Sequence, residues 1–395
     1  MANNLSASFP EIWAWEMQRE FAKKNVAKVI TNFQTWLEWK KYGDTLNRVY
    51  GSMPEYPDAY TRWSDIPAVD LTDTKESLVI NKQYAYRFYL DDMDEIQDMY
   101  SAAIEYWKKT GEYLSNQVDA DVLAEALNAA SSVNAWTLTS ANVVPTLGNV
   151  NQALAKKNIS SKDRYGVISP EFENMVVQYA AWRQTILWDN VWKNGYLFSF
   201  MGYDFYTSNQ LTGTAELKMA TKPTANDTVT IDGVTFTFVS TIGTTPGNVL
   251  IGTDADATRA NLAALINAPA TTTTKWVALS AADAKRFAAR ISAVNDDTAD
   301  TLTITWKGLW VLAVDSSLTA SADGFDATKE LQHNLFGVKG NPYLIMQRQP
   351  TVKKVESESK MWSYYKNAVL YGVKTFHDNA QAMVDVAIRS DAFTA

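Results

Sequence analysis

Two aspartates in the middle of the chain are spaced as a phosphoryl-transfer centre would need. Asp254-Ala-Asp256-Ala-Thr258 fits the D-x-D-x-T pattern of phosphoryl-transferring hydrolases. In that chemistry one aspartate is the nucleophile and the other the acid/base. The preceding Val249–Gly252 reads as a strand, and Asp296-Asp297 lies downstream. A local reading competes: the two acids cap a short helix over 257–267 and complement its dipole. The surrounding segment is also too short for the several parallel strands such an enzyme needs.

The other reactive combinations are weaker. Asp91, Asp92, Asp94 and Glu95 could hold a divalent cation, but they lack the glycine and the spacing of an EF-hand loop. They read as acids at the positive end of a helix dipole. Ser357-Glu358-Ser359-Lys360 fits the S-x-x-K of acyl-serine enzymes without any partner motif. His333 and His377 stand in polar sequence, which places them on a surface or an interface. The basic pairs Lys108-Lys109, Lys156-Lys157 and Lys353-Lys354 read as solvated faces. Zero cysteines exclude a thiolate zinc site, a thiol nucleophile and a disulfide. The reading therefore assigns no catalytic residue, no cofactor and no metal, and expects a protein that is not an enzyme.

These residues must be held by a chain of 395 residues with 46% hydrophobic and 12% aromatic content. That is enough for a thick core, with rings left over for partners, since aromatics are enriched at interfaces. A net charge of −8 shows no basic footprint for nucleic acid. MANNLSASFPEIW lacks a basic region followed by an apolar run, so no signal peptide is expected. No run of about 18 apolar residues occurs, so no membrane span is expected. The missing cysteines suit a reducing cytoplasm.

The coarse elements follow from spacing. Residues 1–42 read as helix, from a Ser8/Glu11 capping box around Pro10 and apolar residues at helical intervals through Val29, Ile30, Phe33 and Trp36. Gly43, Gly51, Pro54, Pro57 and Pro67 punctuate an extended stretch over 43–75, and 77–90 alternates as a strand. Residues 91–130 carry one apolar stripe (Ile96, Met99, Ala103, Trp107, Leu114, Val118), with Gly111 and Asp119 as weak points. A continuous helix there would be about 55–60 Å long. A helix is expected around 147–157, then a strand at 164–168. Ser169 and Pro170 start another helix, and a hairpin turns at Met201-Gly202. Over 213–328 threonine becomes frequent, and TVTIDGVTFTFV turns at Asp232-Gly233. This segment reads as a small α+β module inserted into a chain whose aromatic style resumes near 329. Strands are expected within 347–356, 364–376 and VDVAI at 384–388.

Several segments, in order, resemble major capsid proteins of tailed bacteriophages with the Hong Kong 97 shell fold. They are FPEIW, GDTLNRVYGSMPEYP, SLVINKQYAYRFYLDDMDEIQ, RYGVISPEF, NGYLFSFMGYDFYTSNQL and YGVKTFHDNAQAMVDVAIR. The resemblance spans most of 1–212 and 330–395. It implies an α+β fold with an N-terminal arm (1–42), an extended loop (43–90) and the spine helix of a peripheral domain (91–130). An axial domain (131–212) and an inserted accessory domain (213–328) would follow, and the chain would return through the axial domain to the closing strand of the peripheral domain (329–395). It implies an icosahedral head around double-stranded DNA, built from pentamers and hexamers and located in the virion after assembly in the host cytoplasm. The implied partners are copies of the chain, a separate scaffolding protein, a portal and a decoration protein, with DNA touched only non-specifically. The alternative is a carbohydrate-binding tail or adhesin protein, in which the tryptophans of 13–39 and 182–192 would be stacking platforms. Helical spacing favours core or subunit contacts for those rings.

Overall fold

The computed structural model describes residues 26–34, 45–52, 62–63, 72–91, 102–135, 137–183, 199–308, 312–320, 323–350, 353–356 and 362–389. A short helix α1 (Ala27–Ile30) precedes strands β1 (Asn32–Gln34), β2 (Thr45–Ser52), β3 (Thr72–Val79) and β4 (Lys82–Asp91). Helix α2 (Ala102–Leu123) ends in a 3-10 turn at Ala124–Asn128 and gives way to β5 (Ser131–Ala135). Next come α3 (Val143–Ala155), β6 (Arg164–Ile168), α4 (Pro170–Arg183), β7 (Ser199–Phe200), β8 (Tyr203–Thr207) and β9 (Thr212–Lys218). The threonine-rich segment adds β10 (Thr228–Ile231), β11 (Val234–Val239), β12 (Asn248–Leu250), α5 (Ala255–Asn267) and α6 (Ala281–Arg290). It continues with β13 (Ile291–Asp296), β14 (Thr301–Lys307), β15 (Val314–Ser317) and β16 (Gly324–Phe325). The chain closes with β17 (Leu331–Val338), β18 (Tyr343–Arg348), β19 (Lys353–Glu356), β20 (Trp362–Lys374), α7 (His377–Ala380) and β21 (Met383–Arg389).

The chain forms two compact units. One draws on 32–114 and 342–376, the other on 23–31, 115–341 and 377–395. In the first, β1, β18, β20 and β19 form a sheet in that order, and β4 lies along β20 for ten residue pairs. Leu78, Ile80, Ile345 and Phe376 are its buried apolar centre. β2 and β3 form a separate two-stranded ribbon of eight paired residues each.

The second unit is organised around a ten-stranded sheet. One edge of β17 lies along β21 from Leu331 to Gly337. Its other edge is divided: residues 331–333 pair with β9 and residues 335–338 with β6. α3 and α4 cover one face, where Leu147, Val150, Phe172, Phe336, Val384 and Val386 are buried together. The 213–328 segment has its own core, including Phe236, Phe238, Leu262, Phe287, Ile304 and Trp306. It also adds β13, β14 and β16 to the large sheet through β9.

Several local signals act as their chemistry requires. The Ser169 hydroxyl accepts the Phe172 N–H at 3.2 Å, with Pro170 in the first helical position. Asp232 (φ 50°) and Gly233 (φ 74°) make the tight turn between β10 and β11.

Four expectations need correction. Residues 32–34 are strand, not helix: Thr31 leaves helical geometry (φ −83°, ψ 160°), and β1 then pairs in parallel with Tyr343–Ile345. The strand expected over 77–90 is two strands parted at Ile80-Asn81, because β3 pairs with β2 while β4 pairs with β20. Asp91 ends β4 rather than starting a helix, and Ser131 already belongs to β5; between them, Gly111 and Asp119 both sit inside an unbroken α2. Helix α6 had been overlooked, although Ser280 accepts the Asp283 N–H as its N-cap.

Gly213 on β9 tests the large sheet. A Cβ there would stand 2.3 Å from the buried Trp306 ring, so the ring would have to move out of its own core. Gly213→Ala is expected to lower unfolding stability by about 1–3 kcal/mol, measured by urea denaturation.

Candidate functional site

Asp254 and Asp256 do not form a phosphoryl-transfer centre. Asp254 is the N-cap of α5, its Oδ1 accepting the Ala257 N–H at 2.7 Å. Asp256 pairs with Arg259, whose side chain is fully buried. The same guanidinium reaches Asp300 at 3.3 Å and Asn295 Oδ1 at 3.1 Å, tying α5 to the turn between β13 and β14. Asp296, proposed as a downstream acid, accepts the Thr298 and Ala299 N–H groups of its own turn. These acids shape helix and turn ends. Asp92, Asp94, Glu95, the Ser357–Lys360 motif and the tryptophans of 13–39 and 188–192 lie outside the described residues.

His377 is exposed at the start of α7. His333 corrects the surface expectation: it is 6% exposed, in the middle of β17. Its Nδ1 lies 2.8 Å from Asp385 Oδ2 on β21, and its Nε2 lies 2.9 Å from Thr214 Oγ1 on β9. Hydroxyl, imidazole and carboxylate thus stand in the order of a relay triad. Thr214 is paired on both edges, with Thr305 on β14 and Leu331 on β17, so this hydroxyl stands inside the sheet. The network joins three strands where β17 changes partner. Next to it, Asn334 accepts the Ser169 N–H at 2.8 Å and donates to the Val386 carbonyl at 3.3 Å, fixing the start of α4 to the sheet. The polar run Gln332-His333-Asn334 looked like loop chemistry because its partners lie far away in sequence.

Asp119 is the other polar group whose role was not visible. It lies inside α2, 2% exposed, and accepts the Val26 N–H at 3.1 Å and the Ala27 N–H at 2.9 Å. Those are otherwise unsatisfied donors at the start of α1. Ala27 and Ile30 are fully buried, and Ile30 O accepts the Gly340 N–H at 2.8 Å. Residues 26–31 are thus fixed within the second unit. Burial pushes the Asp119 carboxyl up to about 7, against the pull of its two backbone donors.

Several large apolar and aromatic side chains lie at the surface among the described residues. Trp63 is 91% exposed. Val49 and Val79 are exposed on the β2–β3 ribbon, and Tyr86, Tyr89, Tyr106 and Tyr113 on β4 and α2. The Tyr86 and Tyr113 rings lie 6.4 Å apart. A two-stranded ribbon is only marginally stable by itself; Leu78 anchors this one among Ile80, Ile345 and Phe376, while Val49 and Val79 remain exposed.

No protein-family model and no curated protein matches the sequence. Solved structures do match. A chain from Mycobacterium phage Che8 aligns over 92% of this chain and 91% of its own, at 10% identity and a TM-score of 0.51. One from the capsid structure of the cyanophage P-SCSP1u aligns over 92% and 88%, at 8% identity and 0.51. One from the asymmetric unit of the bacteriophage PhiM1 mature capsid aligns over 93% and 88%, at 8% identity and 0.52. The chain has the α+β fold of tailed-phage capsids. At such low identity the likeness lies in the path of the backbone, in keeping with a fold held by non-local strand pairing rather than by a fixed set of reactive residues.

The Asp119 contact predicts a pH dependence. Its folded carboxyl holds a proton more tightly than the unfolded one, at about 7 against 3.8. This stabilisation is fully present below pH 3.8 and is lost as the pH rises through 7. Between pH 5 and 8 the wild type should lose about 2–3 kcal/mol relative to Asp119→Asn, which keeps an acceptor oxygen but cannot ionise. Chemical denaturation at the two pH values measures this.

Proposed function

We propose that this chain is the major capsid protein of a tailed phage, a non-enzymatic subunit that assembles with copies of itself into the icosahedral head around double-stranded DNA. The supporting observation is the fold shared with capsid chains over more than nine-tenths of the sequence. Two further features agree with it. The candidate reactive groups within the described residues serve as caps, turns and strand ties. Exposed apolar and aromatic residues include Val49 and Val79 on the extended ribbon, Tyr106 and Tyr113 on the long helix, and Tyr86 and Tyr89 on β4.

In this reading the β2–β3 ribbon is the extended loop, and α2 is the spine helix. Residues 131–212 with the return at 329–341 form the axial domain, since β18 (343–348) belongs to the sheet of the other unit, and 213–328 form an outward-facing accessory domain. Pentamers and hexamers close the shell through many modest contacts repeated by symmetry. A separate scaffolding protein, a portal and a decoration protein complete the assembly. DNA is touched only non-specifically, because a chain of net charge −8 repels the polymer it encloses.

The arm that embraces neighbours would lie before Val26, since Ala27 and Ile30 are part of the body. Deletion of residues 1–25 should leave a subunit that melts as the full chain does but sediments as subunits and small rings, not as shells. Normal shells from that truncation would overturn the arm's role. A truncation at 42 would unfold the subunit as well, because it removes α1 and β1.

A further inference from the structure

Strand register assembles a row of positive charge that the sequence keeps apart. Arg87 on β4 is directly opposite Lys366 on β20, and Lys366 is directly opposite Lys353 on β19. All three are exposed. Adjacent strands lie about 4.8 Å apart, so three cations stand within roughly 10 Å. Like charges directly opposite each other across a sheet destabilise it. Among the described residues, none of the three makes an ion pair that would offset this. The same face continues in the next row with Tyr89, Tyr364 and Val355, again directly opposite one another. Tyr89 is 63% and Val355 42% exposed, and the Arg87 guanidinium lies 3.9 Å from the centre of the Tyr364 ring. The opposite face of β20 is buried at Tyr365, Asn367 and Val369, so the charged face is the outer one.

We infer that the Arg87–Lys366–Lys353 row, with Tyr89, Tyr364 and Val355 beside it, is a docking surface for a carboxylate-rich surface of a second copy of this chain. The inference deepens the capsid reading and rests on it. Charge complementarity selects the occupant. The chain has 44 acidic against 36 basic residues, so a second copy brings carboxylates in excess of cations. Apolar neighbours narrow the choice further. A DNA duplex would meet the cations through its phosphates and leave Tyr89 and Val355 uncovered, whereas a protein surface covers both. Arginine and tyrosine together are also what interface centres select. The local repulsion is then a feature of the free subunit, relieved on assembly.

The test assembles shells from equal parts of ordinary and nitrogen-15-labelled chain. A carbodiimide, which joins lysine amines to carboxylates in direct contact, is then applied. Mass spectrometry should find Lys353 or Lys366 joined to Asp or Glu of the other isotope in shells, and no such products in dissociated subunits. The triple variant Arg87→Gln/Lys353→Gln/Lys366→Gln should melt at or above the wild-type temperature as a free subunit. Its assembly should be slower by about tenfold or more at low salt and nearly independent of salt. Shells in which both lysines stay unlinked, and react with an acetylating reagent as fast as in free subunits, would overturn the inference while leaving the capsid reading intact. Protection of the lysines in DNA-filled particles but not in empty ones would overturn it in favour of nucleic acid. Failure of the wild-type chain to form any shell would overturn the capsid reading, and this surface with it.

Discussion

The second unit depends on one strand finding three distant partners. β17 pairs with β21, β9 and β6, segments that lie roughly 50, 120 and 170 residues away along the chain. Its inner residues are buried on both faces, although three of them are polar. Burying polar groups costs stability unless each finds a partner. His333 finds Asp385 and Thr214, and Asn334 finds Ser169 and Val386. These bonds therefore fix which strands β17 can accept. Because one of its edges is divided between β9 and β6, the same strand joins the core of 213–328 to the sheet under α3 and α4.

A shell subunit must combine a rigid body with parts that reach outward. The body is visible in the buried cores and in the polar ties between strands. Reach is visible in the β2–β3 ribbon and in the exposed rings of β4 and α2. Asp119 ties the start of α1 to α2, because it holds the first N–H groups of α1 in a buried place. Aromatic residues thus serve two roles. Some fill the core, as Phe172, Tyr203 and Phe336 do against one another. Others remain at the surface, where closed symmetry would bring copies against them.

Local chemistry was legible in the sequence and distant chemistry was not. Asp232-Gly233, Ser169-Pro170 and the Asp254 cap each state their geometry within a few residues, and each appears where expected. The resemblance over most of 1–212 and 330–395 gave the α+β fold, because it used the order of several segments rather than any one of them. The limits of 1–42 and 91–130 were misjudged where pairing overrides periodicity. Val29, Ile30 and Phe33 suit a helix, but β18 offers Phe33 a ladder, and backbone bonds decide. His333, Asn334 and Asp119 gave no signal, since their partners are 52 or more residues away. The Arg87–Lys366–Lys353 row is unreadable without register for the same reason: in sequence its members are unrelated single cations.

The central claim is that the chain's free surface is meant for its own copies. Electron microscopy of the purified chain, concentrated at moderate salt, tests this most directly. The account predicts closed shells with rings of five and six subunits, the ribbon of each subunit lying on a neighbour. A population of monomers at every concentration would contradict it.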